Sequence, residues 1–307
     1  MDKSDVTLER MLSFVRVAER CSLSAVAREF GIGQSTVSRH VRELEEAVGA
    51  PLLARTTRRV TLTDEGRRYY INCVQILRLV EQAGDEARGT SSAAAGMVRV
   101  SCTAALGILH INRLIFDFQD RYPEIGVDLS LTDERIDLVR EGVDIAIRLG
   151  PLTDSSMKLK TLGQSPRFLA AAPSYLSARG RPASVQDLQA HEGIRMTNIA
   201  GSDSLTLRGS DEVRTIPFEG RFQTDHGLAA RLALAAGRGI APVHHWLVDD
   251  LLADGRLEIL LPDYSLPSVP LNMLIVPERA NIARVRLLID YLADEIVRLP
   301  GISKSER

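Results

Sequence analysis

Between Leu23 and Leu44 three residues fall at a restrictive spacing: Ala27, Gly31 four positions on, and Val37 six beyond that. Alanine lets two helices cross closely, glycine lets the chain enter a left-handed turn, and valine fills the core under the second helix. The run is therefore read as a helix, a tight turn and a helix. Apolar stripes support three helices over 8–48: Leu8, Met11, Leu12, Val15 and Ala18; Val26, Ala27 and Phe30; and Val37, Val41, Leu44 and Val48. Ser22 or Ser24 can cap the second helix, and Gly31 with Gly33 interrupts the chain before the third. After Gly49-Ala50-Pro51 the helical period ends. Val60-Thr61-Leu62-Thr63 reads as a strand returning from a tip that carries Arg55, Arg58 and Arg59, which makes a β-wing.

The third helix has a second, polar face. Ser35, Ser38, Arg39 and Arg42 stand at i, i+3, i+4 and i+7, so they point away from Val37, Val41 and Leu44. Such a helix fits the major groove of double-stranded DNA. Ser24, Gln34, Ser35 and Ser38 can meet phosphates or base edges, and Arg39 or Arg42 can bond guanine bidentately. Arg55, Arg58 and Arg59 of the wing then lie beside the duplex, against phosphate or in the minor groove. Bulk charge does not help: the net charge is −2, and residues 1–90 hold 14 Lys and Arg against 13 Asp and Glu. The cationic signal is local, and an amphipathic helix pair with a solvated polar face would share the same spacing.

From Thr63, a possible N-cap, to Arg88 no proline occurs, and Tyr70, Cys73, Val74, Leu77, Val80 and Ala87 mark one face of a long helix. Its stripe outreaches a small domain and calls for the same helix of a second subunit. Residues 90–96 read as a hinge. From Met97 strands and helices alternate: strand Val98–Ser101, helix 107–121, strand Val127–Leu131, helix 134–141 and strand Asp144–Leu149. A second run starts at Phe168, with a helix near 226–236 and a strand from Gly239-Ile240-Ala241; strand Leu271–Val276 and helix 282–298 close the chain. The expected fold class is α+β multidomain: an N-terminal winged helix-turn-helix (1–63), a long linker helix (64–89), a hinge (90–96) and a C-terminal two-lobed α/β domain. Lobe I spans 97–167 with 270–303, and lobe II spans 168–269.

Later and earlier segments together resemble the LysR-type transcriptional regulators. The resemblance is carried by Phe14-Val15-Arg16-Val17-Ala18-Glu19, Ser24-Ala25-Val26-Ala27-Arg28-Glu29-Phe30, Gln34-Ser35-Thr36-Val37-Ser38-Arg39, Leu44-Glu45-Glu46, Gly49-Ala50-Pro51-Leu52-Leu53-Ala54-Arg55 and Leu62-Thr63-Asp64-Glu65-Gly66. Tyr122-Pro123-Glu124, the run Asp137–Arg148 and Ala236-Gly237-Arg238-Gly239-Ile240-Ala241 extend it across the chain. It implies a dimerising linker helix, a domain like periplasmic binding proteins with a small-molecule effector in its cleft, and a homodimer or homotetramer. It also implies that Gln34, Ser35, Ser38 and Arg39 face the groove and Arg58 the minor groove or backbone. Ala54 replaces a frequent aromatic and Gly33 a frequent capping serine.

Clefts between α/β lobes lie at strand ends and helix N-termini. That directs attention to Cys102-Thr103, Thr132, Ser202 and Thr224-Asp225, with Arg148 as a partner for an effector carboxylate. Turn or cap roles are equally open to these polar residues. Ala105, Leu205 and His244 depart from the family's pattern at pocket positions. No enzyme signature accompanies this. Ser155-Ser156-Met157-Lys158 is a lone S-x-x-K, and His244-His245 diverge on a helix without zinc spacing. Cys21, Cys73 and Cys102 are odd in number and widely spaced, so reduced thiols are expected, with Cys102 buried rather than reactive. No cofactor or metal is expected. The chain has no run approaching the ~20 apolar residues of a membrane span and an N-terminus unlike a secretory signal, so a cytoplasmic location with no membrane partner follows. Two rival functions stay open: an effector-independent DNA-organising protein, and an enzyme on the two-lobed fold.

Overall fold

A computed structural model describes residues 6–55, 60–87, 95–134, 141–151, 157–199 and 201–303. The chain divides into two compact units, one built on Met1–Ala93 and the other on Ala94–Ile136 with Val143–Arg307.

The first unit runs α1 (Leu8–Arg20), α2 (Leu23–Phe30), α3 (Gln34–Val48), β1 (Leu53–Arg55), β2 (Val60–Leu62) and α4 (Asp64–Ala87). Ser22 caps α2 by accepting from the Ala25 amide, and Gly31 closes it at φ 66°, in the left-handed region that favours glycine. Phe14, Val17, Val26, Val37, Val41, Leu44 and Leu52 are fully buried, so the three stripes meet in one core. Two contacts fix the wing's root. Glu45 Oε1 accepts from the amides of Leu52 and Leu53 at 2.8 and 2.9 Å, holding the start of β1 to α3. Thr63 donates its hydroxyl to the Pro51 carbonyl at 2.7 Å and accepts from the Gly66 amide at 2.9 Å, so it caps α4 as its position predicts. The apolar face of α4 divides: Tyr69, Tyr70, Val74 and Leu77 pack on the core, whereas Leu79 is 61% and Val80 46% exposed.

The second unit begins with β3 (Gly96–Cys102), α5 (Ala104–Leu106), a π-helical turn (Gly107–Ile111) and α6 (Asn112–Arg121), followed by β4 (Ile125–Leu131), β5 (Ile145–Leu149) and β6 (Lys158–Ala171). Next come α7 (Pro173–Arg179), β7 (Ile194–Met196), β8 (Ser204–Arg208), β9 (Val213–Pro217), β10 (Phe222–Thr224) and α8 (Gly227–Ala235). It ends with β11 (Ile240–His244), α9 (His245–Ala253), β12 (Glu258–Leu260), β13 (Leu266–Ile275) and α10 (Ala283–Ile296). This is the two-lobed domain expected. One mixed sheet has the order β11-β6-β13-β5-β3-β4, and β12 also pairs with β6. β7 pairs with β10 in parallel, and β8 with β9 as a hairpin.

The lobes are joined by unusually long strands. At 14 residues β6 spans roughly 45 Å, enough to run through both lobes beside β13. The second run thus begins ten residues before Phe168, where Lys158, Lys160 and Thr161 are exposed and supply no apolar signal. The helix expected at 107–121 starts at Ala104 and passes through a π turn. The helix expected at 134–141 lies largely outside the described residues, as do most of the hinge and Ser155-Ser156. One core holds Val98, Phe118, Ile145, Leu271 and Leu288; another holds Leu169, Tyr175, Leu205, Phe218 and Leu260.

Candidate nucleic-acid interface and effector cleft

The outer face of α3 is built by what its inner face buries. With Val37, Val41 and Leu44 at zero exposure, helical geometry turns Gln34, Ser35, Arg39 and Arg42 to solvent, and Ser38 is half-buried at the edge. Gly33 supplies no side-chain cap, so the first turn of α3 keeps amides free of a capping hydroxyl and Gln34 and Ser35 beside them. The two arginines lie loosely against acids one turn on: Arg39 to Glu43 at 4.0 Å and Arg42 to Glu46 at 3.7 Å. Glu43 is held more closely by Arg10 of α1, at 2.8 Å. Ser24 is exposed at the start of α2, sharing a hydrogen bond with Ser22. Arg58, Arg59 and the side chain of Arg55 lie outside the described residues.

His40 escaped the sequence reading. It is 7% exposed and shares a hydrogen bond of 2.9 Å with the buried Ser13 hydroxyl, pinning α3 to α1. The signal was available, because position 40 falls on the stripe of Val37, Val41 and Leu44.

Four of the seven expected cleft residues converge. Thr132 donates its amide to the Cys102 carbonyl at 3.0 Å, the Thr103 amide reaches the Ile147 carbonyl at 3.4 Å, and Arg148 Nη2 donates to Ser101 Oγ at 2.7 Å. Burial pulls the Arg148 guanidinium pKa down, opposed by Asp133. Asp133 itself accepts from the Ala104 amide at 3.1 Å. Among the described residues the Thr103 hydroxyl oxygen is buried with no hydrogen-bond partner, a costly state that a ligand donor or acceptor would relieve.

The other three gather elsewhere in the same unit. Thr224 Oγ1 accepts from the His226 amide, the Asp225 carbonyl accepts from Asn198 Nδ2 at 2.8 Å, and the Ser202 carbonyl accepts from Arg195 Nε at 3.1 Å. Thr132 Oγ1 likewise accepts from the Glu134 amide, so several of these residues serve as turn formers. The two groups are brought near one another by α5 and α8: a Cβ on Gly227 would lie 3.1 Å from that of Ala105.

Cys102 is fully buried and its thiol is pushed up to about 12 by desolvation, which disfavours the reactive thiolate. His244 ends β11 and stands at the N-cap of α9, correcting the placement of both adjacent histidines on a helix. Among the described residues no group of His, Cys, Asp and Glu could hold a metal ion.

Residues 8–67 match the family described as bacterial regulatory helix-turn-helix protein, lysR family, and residues 91–296 match the LysR substrate binding domain. A probable HTH-type transcriptional regulator, LtrA of Klebsiella pneumoniae, is 32% identical over 289 residues, covering 93% of this chain and 94% of that protein. Among solved structures, the LysR-type transcriptional regulator CrgA from Neisseria meningitidis is 30% identical with a TM-score of 0.62, covering 95% of this chain and 99% of that one. The full-length Vibrio cholerae virulence activator AphB is 27% identical with a TM-score of 0.64, covering 94% and 99%.

Proposed function

Because the chain belongs to the LysR family of transcriptional regulators, we propose that α3 is its reading helix and that the cleft around Arg148 takes the effector. The protein is a DNA-binding transcriptional regulator with an effector-binding domain, and its relatives are regulators rather than enzymes. The observation that carries the reading is the exposed row Gln34, Ser35, Arg39 and Arg42 over a fully buried row of Val37, Val41 and Leu44. Ser38 borders that row and Ser24 approaches the backbone; Arg55, Arg58 and Arg59 complete the contact from the wing. Selection of duplexes from a random pool tests it. Wild type enriches a sequence and binds it with a steep salt dependence, whereas absence of enrichment would sink the reading.

In the sensing half, Cys102, Thr103, Thr132 and Arg148 form one wall of the cleft, with Ser202, Thr224 and Asp225 opposite. The Thr103 hydroxyl, without a partner among the described residues, and the desolvated Arg148 favour a carboxylate effector. A thermal-shift screen of the full chain against small carboxylates reads this directly, since a ligand of the native state raises the melting temperature. The lobe division at 167/168 and 269/270 falls on β6 and beside the irregular stretch of β13, where two crossing strands would bend as the cleft closes. Exposed Leu79 and Val80 favour association through α4 into a homodimer, and pairing of dimers into a tetramer remains the second arrangement. No helix of the described residues is long and apolar enough to cross a membrane, in keeping with a cytoplasmic regulator.

A further inference from the structure

Arg167 of β6 and His244 of β11 stand opposite one another in an antiparallel ladder, which puts both side chains on one face of the sheet with Cβ atoms about 5 Å apart. Arg167 Nε donates to the Pro267 carbonyl at 3.1 Å, in the stretch between Leu266 and Val269 where β13 loses register with β6. The guanidinium has no carboxylate partner among the described residues, and burial alone draws its pKa down. A half-buried cation without a counter-charge is costly, and a bound anion offsets that cost.

The imidazole beside it offers a second donor. Trp246 Nε1 can only donate, and it reaches Ser165 Oγ at 3.0 Å. Ser165 is fully buried, and its own hydrogen finds an acceptor in His244 Nδ1 at 2.8 Å. With Nδ1 engaged by Ser165, Nε2 is the ring nitrogen left to donate to a ligand. His244 also stands at the N-cap of α9 without bonding its amides, so the helix end adds potential of the same sign. The nearest acid on that helix, Asp249, lies 3.3 Å from His245.

We infer that Arg167 and His244 form a second anion site, separate from the cleft at Arg148, which takes a small carboxylate on the Arg167 fork and His244 Nε2–H. Among the described residues no hydrogen bond or ion pair joins this pair to Thr103, Arg148 or Asp225. The site lies where β6, β11 and β13 run together, so an occupant ties three strands of the crossing between the lobes.

Trp246 is the sole tryptophan of the chain, and its ring stacks on that of His244 with centroids 5.4 Å apart and planes at 18°. Its fluorescence therefore reads the site. Titrating the full-length protein with sodium acetate, and with sulfate and inorganic phosphate as parallel arms, against sodium chloride at matched ionic strength should give a saturable change with acetate alone or most tightly with acetate. Arg167→Gln is expected to weaken acetate at least tenfold, Arg167→Lys to give an intermediate value because a point charge replaces the fork, and Arg148→Gln, at the other proposed carboxylate site, to leave the Trp246 response to acetate unchanged. Calorimetry of the same titrations catches binding that the fluorophore misses. Tighter sulfate or phosphate binding would overturn the carboxylate assignment. An equal response in Arg167→Gln, loss of response in Arg148→Gln with Arg167→Gln intact, or no saturable heat or fluorescence in wild type would overturn the site itself. None of these outcomes bears on DNA selection by α3.

Discussion

Gly66 at the start of α4 lies so close to Leu52 before β1 that a Cβ on the glycine would stand 1.9 Å from the Leu52 carbonyl oxygen. Backbone, not a flexible side chain, is what such a Cβ meets, so the two segments must separate to admit it. Gly66→Ala is expected to cost about 2 kcal/mol or more and to loosen the wing. Thermal unfolding of the full chain should show a lowered first transition, together with weaker binding to a selected duplex; unchanged melting would mean that α4 and β1 are not held at this contact.

Glu45 braces the same corner from α3. Its carboxylate accepts two amides, from Leu52 and Leu53, and truncation leaves both without that partner. Glu45→Ala is expected to cost about 1–3 kcal/mol, with Glu45→Gln recovering part of it because an amide oxygen still accepts. Denaturant titration with both variants checks the order.

On the reading face, charge competition decides the outcome. Glu43 is shared between Arg10 at 2.8 Å and Arg39 at 4.0 Å. Arg39→Ala is expected to cost about 1–3 kcal/mol of binding and to narrow the gap between selected and random duplexes, whereas Arg58→Ala weakens both alike and reduces the salt slope by about one. Glu43→Gln shifts affinity the other way, by removing an acid beside the DNA. Equal affinity of Arg39→Ala and wild type would remove Arg39 from the interface.

What was legible in the chain follows from what each residue contributes to a pattern. Val37, Val41 and Leu44 announce α3 because their burial repeats with the helix, and Thr63 announces a cap by preceding Asp64 and Glu65 in an uninterrupted helical stretch. Glu45 and Gly66 lay inside the quoted motifs, yet their reasons are contacts between segments far apart in sequence, which spacing does not encode. β6 begins ahead of its buried run because Lys158, Leu159, Lys160 and Thr161 are all exposed, held in the ladder by pairing with β13 rather than by burial. The π turn at Gly107–Ile111 leaves the apolar stripe nearly intact and so gave no sign, although Gly107 packs where a Cβ would lie 2.2 Å from Leu131. Partners such as Ser101 for Arg148 and Ser165 for His244 emerge only when strands are paired.

The three thiols are expected to separate cleanly in reactivity. Cys21 is exposed at the end of α1, whereas Cys73 and Cys102 are buried and each is pushed up to about 12 by desolvation. Native labelling at pH 7.5 with a thiol reagent should modify one cysteine per chain, assigned to Cys21 by peptide mass, and all three after unfolding. Rapid native labelling of Cys102 would reopen a redox role for the cleft.

His244 gives the C-terminal domain a defined acid sensitivity. Burial and the facing Arg167 charge lower its pKa from 6.5 to about 3, while a hydrogen bond to the Ser165 backbone opposes the shift. Above 6.5 the ring is neutral in both folded and unfolded chains and contributes no pH dependence. As the pH falls below 6.5 the unfolded chain takes up a proton that the folded chain refuses, so stability is lost down to about 3, by up to ~1.4 kcal/mol per pH unit. Acetate buffers must be avoided, because a carboxylate on Arg167 would counter the charge that helps hold the ring neutral. His244→Asn is expected to be less stable than wild type at pH 7.5 through loss of the Ser165 partner, yet to lose less stability between pH 6.5 and 4.5. Melting curves in chloride across that range decide it: parallel pH slopes for the two proteins would show that His244 protonates in the folded state much as it does in the unfolded one.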